Sequence, residues 1–150
     1  MNRKRKTLPF LLIVVVVLQF IQPVRNISTT ASSNDISTVY EIPENVHQVF
    51  SRKCYDCHSN NTRYPWYFNI QPVGWWLAAH IHDGKEHVNF SEFSTYDAEK
   101  KNDLLEEILE VVEERSMPLK VYVLLNSHSE ITEADEKAIQ QWISVVSKNN

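Results

Sequence analysis

Glycine and cysteine each occur only twice in 150 residues, and methionine occurs once beyond the initiator. With glycine confined to Gly74 and Gly84, and no alternating apolar and polar pattern of useful length except KVYVLL at Lys120 to Leu125, a strand-rich body is disfavoured. The chain reads as mainly α. Since Cys54 and Cys57 are the only cysteines, no third thiol competes for them in a disulfide. Acidic residues are absent from the first 25 positions, which carry five of the 15 basic residues. Without that segment the balance is 10 basic against 19 acidic residues, a formal charge of −9 instead of −4. So acidic a body argues against a nucleic-acid partner, whose phosphates would favour the opposite sign. No internal repeat is present.

What the N-terminus does contain is an export signal. Arg3, Lys4, Arg5 and Lys6 precede an apolar run from Leu8 to Leu18 that continues through Phe20 and Ile21 to Val24. A cleaved signal peptide ends in a small-residue site, and the nearest one, around Thr29 to Ala31, lies well beyond the run. Residues 1–25 are therefore read as an uncleaved anchor in preference to a cleaved peptide. The segment Leu8 to Val24 has 17 residues, at the short edge of the ~17–25 needed to span a bilayer. The basic flank would keep the N-terminus in the cytoplasm and place the body on the periplasmic side of the inner membrane, with a soluble periplasmic form as the alternative. Residues 26–41, rich in Ser, Thr and Asn, suit a flexible tether, and residues 42–147 form the domain.

Four helices are predicted within that domain. The first starts near Pro43 and carries Val46, Val49 and Phe50 straight into Cys54. The second covers Val73 to Glu86. The third, Asp97 to Arg115, sets Leu104, Leu105, Ile108, Leu109, Val111 and Val112 against an acidic face and stops before Pro118. The fourth opens with Thr132 and Asp135 as a capping pair and repeats Ile139, Trp142, Ile143 and Val146 at helical spacing.

The motif that carries chemistry is KCYDCH, Lys53 to His58. A thioredoxin-like thiol pair would need flanking strands, which are missing. A zinc site would need Cys54, Cys57, His82 and His87 together, over a spacing too long for a finger and with no use for His58. A c-type haem uses all three motif residues: two thiols add to the two vinyl groups, and the adjacent histidine binds iron. That attachment occurs outside the cytoplasm, as export requires. One haem c per chain, held covalently by Cys54 and Cys57 with His58 as a metal ligand, is the expected cofactor.

Met117, in SMPL at the end of the third helix, is the expected second iron ligand, with His87 in GKEHVNF as its alternative. His47 and His128 are expected to face solvent, and His80 and His82, two apart on one helix, to face different ways. Among the aromatic residues Tyr64, Trp66, Tyr67, Phe68, Trp75 and Trp76, contact with the haem overlaps with an ordinary core role; Tyr64 and Trp66 are named as cofactor contacts. Arg63 is a candidate partner for a propionate.

The run CYDCHSNNTRYPWYFNIQPVGWW, then GKEHVNFSEF, the acidic VVEER before MPL, and a last helix containing QQWI resemble the small haem-binding-domain proteins of Bacteroidetes-type bacteria. The resemblance covers nearly the whole chain after the tether. It implies a mainly helical, cytochrome-c-like domain around one haem, with Cys54, Cys57 and His58 in the attachment motif and Met117 in the methionine-proline pair. With both axial positions filled, the expected function is electron transfer to and from redox partner proteins, without catalysis. A haem peroxidase or a gas or redox sensor, with the sixth iron position open or weakly held, is the alternative.

Overall fold

The computed structural model describes residues 3–149. The side chains of the basic cluster Arg3 to Lys6 lie outside what it describes, as do residues 1, 2 and 150, so the charge expectation for the N-terminus has no structural counterpart.

Helix α1, Arg3–Leu18, stands apart with its apolar side chains exposed. It ends six residues before the predicted Val24. No described helix is long and apolar enough to cross a membrane. From Gln19 onward the chain lies on the domain. Gln19 donates to the Gln71 carbonyl and accepts from the Gln71 amide, and Gln22 bonds the Asn69 carbonyl and the Gln71 side chain. Asn26 then reaches the Ser59 carbonyl and Thr62 Oγ1, accepts from Lys85, and donates its amide to Tyr64 Oη. Ile27 and Asn61 form an isolated antiparallel bridge, and Ile36 is fully buried. The expected flexible tether is a packed strap. Asn26 and Asn34 bond groups of the domain, Asn34 through Glu92 and Ser94, while most Ser and Thr of the strap stay exposed.

The first predicted helix is composite. Helix α2, Glu44–Val49, passes through a π-helical turn at Phe50–Cys54 into α3, Tyr55–His58. A π turn adds one residue to the hydrogen-bonded ring and rotates the residues after it, and such turns are enriched at functional sites. It falls directly before the thiol pair. Helix α4, Val73–His87, packs on α3, and α5, Ala98–Glu113, packs with α7, Glu133–Asn149. The capping pair forms as expected: Thr132 Oγ1 accepts from the Asp135 amide while Asp135 Oδ2 accepts from the Thr132 amide. Arg115, with φ of 53°, reverses the chain after α5, and the Ser116 amide bonds the Val111 carbonyl at 3.1 Å.

KVYVLL is helix α6, Lys120–Leu125, not a strand. No strand is present among the described residues to pair with it, so an extended KVYVLL would leave its backbone groups unmet, whereas the helix bonds the Val123 amide to the Leu119 carbonyl and the Asn126 amide to the Tyr122 carbonyl and buries Tyr122.

The core divides in two. One cluster joins the strap, α2 with the π-helical turn after it, α5 and α7 through residues such as Ile36, Val46, Phe50, Leu104, Leu105, Ile139 and Trp142. The other gathers Tyr67, Phe68, Leu77, Ile81 and Tyr122. Between them lies a cavity.

Candidate functional site

The cavity measures about 360 Å³, inside the ~300–1,000 Å³ range of small-molecule sites. Leu104, Ile108 and Val112 of the first cluster face it from one side, and Leu77, Leu119 and Tyr122 from the other. Cys54, Cys57 and His58 border the same space, as do Met117 and His87. Five of the seven residues expected at the cofactor are thus brought together. The other two are not. Tyr64 faces the strap, with its ring tilted against Phe68 at a centroid distance of 4.1 Å, and Trp66 is exposed. The aromatic run looks like one unit in the sequence, but its contiguous positions fall on a 3-10 turn, Trp66–Asn69, that sends Tyr67 and Phe68 inward and Trp66 out.

His58 is prepared as a ligand. Its Nδ1 lies 3.1 Å from the Val88 carbonyl oxygen, which can only accept, so Nδ1 carries the proton and Nε2 keeps its lone pair. Burial lowers the pKa of the ring, with the Val88 and Gly84 backbone groups acting the other way, and the neutral form is favoured. Gly84 allows this approach: a Cβ there would lie 3.3 Å from His58 Cε1 and 3.1 Å from the Cys57 carbonyl oxygen.

Burial pushes the Cys54 thiol up to about 12 and the Cys57 thiol up to about 11, and the two are not joined in a disulfide. A redox pair would have a thiol stabilised as thiolate instead. Between them, Asp56 is buried and fully engaged: Oδ1 accepts from Arg63 Nε at 3.1 Å and Oδ2 from Tyr122 Oη at 3.0 Å. Arg63 also bonds the Ser51 carbonyl, while its side chain stays largely exposed. Lys53, next to Cys54, pairs with Asp135 and bonds the Glu130 carbonyl.

Of the two candidates for the second ligand, His87 has Nε2 bonded to Glu107 Oε1 at 2.7 Å, while the Met117 thioether carries no hydrogen bond and the residue is 39% exposed in the loop after α5. The zinc alternative fails on placement. His82 pairs with Glu86 at 3.2 Å outside the cavity, and among the described residues no three His, Cys, Asp or Glu side chains are grouped to hold a metal. His47 and His128 are exposed, as expected.

Two cavity residues are not singled out by the sequence reading: Trp76 is weighed only as one of an aromatic run, and His80 only against His82. Trp76 and His80 both face the cavity, with the rings 4.3 Å apart and His80 Nδ1 2.8 Å from the Trp76 carbonyl oxygen. The signal that could have found them is the spacing of Trp76, His80, Gly84 and His87, which share one face of α4 at steps of four and three.

The arrangement suits a large, flat, apolar group with two attachment points and one nitrogen ligand. The thiols stand on a single turn, the imidazole follows, and the walls are apolar. A family model described as a haem-binding domain matches residues 13–145. No curated protein and no solved structure matches the chain.

Proposed function

The chain belongs to the haem-binding-domain family, and on that premise we propose that it is an exported, membrane-tethered carrier of one covalent c-type haem that transfers electrons. The observation that carries this reading is the meeting of Cys54, Cys57 and a His58 with its Nε2 left free at one apolar cavity that separates two halves of the core. In this reading Cys54 and Cys57 each form a thioether, and His58 Nε2 binds iron. Haem supplies one-electron chemistry at that iron. The chain's part is to hold the imidazole at Val88, to exclude water with Leu77, Leu104 and Ile108, and to offer the second ligand.

Met117 is assigned that second role. His87 would first have to give up Glu107, whereas the thioether has no hydrogen bond to break. A thioether favours ferrous iron relative to a second imidazole, so the site would hold a comparatively high potential. Tethering rests on α1 and on the strap. Cleavage near Ala31 would remove Gln19, Gln22 and Asn26 together with their bonds to the domain, which supports retention of the N-terminal segment.

The test is the spectrum of the haem-loaded protein and two variants. Met117→Ala is expected to abolish the weak charge-transfer band of iron-methionine bonding, lower the potential and admit cyanide or carbon monoxide. His87→Ala is expected to leave the spectrum nearly unchanged. An opened iron in His87→Ala with a silent Met117→Ala would assign bis-histidine ligation. A high-spin protein that already binds these ligands freely would replace electron transfer by the peroxidase or sensor reading.

A further inference from the structure

The apolar part of α1, Leu8 to Leu18, is 11 residues long and rises about 16 Å at ~1.5 Å per residue. That is about half of the roughly 30 Å hydrocarbon thickness of a bilayer. A helix this short holds a domain at a membrane poorly unless further apolar surface enters at its base.

The structure provides such a surface. Directly after α1, Phe20 is 83% exposed and Val24 93% exposed. The strap fastens this stretch to one edge of the domain: Gln19 and Gln22 bond Gln71, Gln22 and Arg25 bond Asn69, and Trp75 Nε1 donates to the Ile21 carbonyl at 2.8 Å. Flanked by Asn69 and Gln71 is Ile70, also exposed. One 3-10 turn earlier stands Trp66, 76% exposed, its carbonyl accepting from the Asn69 side chain. Large apolar side chains left in water on a rigid edge, contiguous with an apolar helix, mark an interaction surface. Tryptophan in particular settles at the headgroup level.

We infer that Phe20, Val24, Trp66 and Ile70 form a foot that sits in the lipid interface and holds the domain on the bilayer in one orientation. This rests on the membrane tethering proposed above and deepens it. The strap makes the orientation fixed: a flexible tether would let the domain tumble, but side-chain and backbone hydrogen bonds from Gln19 through Asn26 tie the helix base to the cavity-bearing body. The foot also adds apolar area at the base of a helix too short to cross the bilayer, and interfacial binding strengthens with the apolar area buried.

The experiment places a benzophenone amino acid, one site at a time, at Trp66, Ile70 or Asp103 of the full chain in its native membranes. Asp103 is on the exposed face of α5. Irradiation is expected to give severalfold more lipid adduct from positions 66 and 70 than from 103, in protein that sediments with membranes. Sedimentation with equal adduct at all three sites would leave the tether standing and overturn the foot. So would adducts from 66 and 70 to protein rather than lipid. Protein found wholly in the soluble fraction would overturn the tether, and the foot with it.

Discussion

Gly84 of α4 lies against His58, and a methyl group there would meet the imidazole edge at 3.3 Å and the Cys57 carbonyl at 3.1 Å, close enough that one of them must give by a few tenths of an ångström. Replacing Gly84 by Ala sets a helix-propensity gain of ~1 kcal/mol against an overpacking cost of ~1–3 kcal/mol. Gly84→Ala is expected to be neutral to mildly destabilising, and Gly84→Val clearly destabilising with weakened haem retention. Urea unfolding and the ratio of haem to protein after purification check both. A Gly84→Val protein with unchanged loading and stability would show that α4 does not press on the motif.

Asp56 and Tyr122 join the motif to α6 through a buried bond of 3.0 Å. Removing the hydroxyl in Tyr122→Phe takes a donor from a carboxylate that keeps Arg63, at an expected cost of ~1.5–3 kcal/mol. Asp56→Ala strands both partners and is expected to cost more. Chemical denaturation of both variants gives the order, and a reversed order would contradict it.

The strap has a direct test in Asn26. A residue in a flexible tether can be changed freely, but Asn26→Ala would leave Ser59, Thr62 and Lys85 without its side chain. A loss of ~1–3 kcal/mol is expected by thermal or urea unfolding. No loss would restore the tether.

Asp135 sets an acid limit. Burial alone would raise its pKa, but bonds from Lys53 and Thr132 outweigh that and hold the carboxyl below the usual carboxylate range. A folded-state value below the unfolded value of about 3.9 means that the pair's stabilisation is complete above that pH and is lost as pH falls through the folded value. The urea midpoint is expected to decline on acidification below about pH 4, and Asp135→Asn to show a shallower decline across that window. Parallel curves would contradict this.

Much of the site is legible in the sequence because its chemistry is local. KCYDCH needs no tertiary context to present two thiols and an imidazole, and the capping pair Thr132 and Asp135 needs only three residues of spacing. Three features stay hidden for a common reason, namely that long-range packing decides them. Asn26 of the strap looks solvated until it finds Ser59 and Thr62. KVYVLL looks extended until the absence of a partner strand among the described residues makes a short helix the better way to bond its backbone. Trp66 looks like a cofactor contact until the 3-10 turn sends it outward and Phe68 into the core. His80 is overlooked when only its relation to His82 is weighed, and not its place on the face of α4 that Gly84 docks.

The central claim is covalent attachment, and intact mass spectrometry of the denatured protein after maturation by c-type haem machinery tests it most directly. The expected result is one haem added per chain, surviving denaturing solvent and abolished in the Cys54→Ala, Cys57→Ala double variant. A chain of unmodified mass, with all of its haem released by the solvent, would contradict the claim.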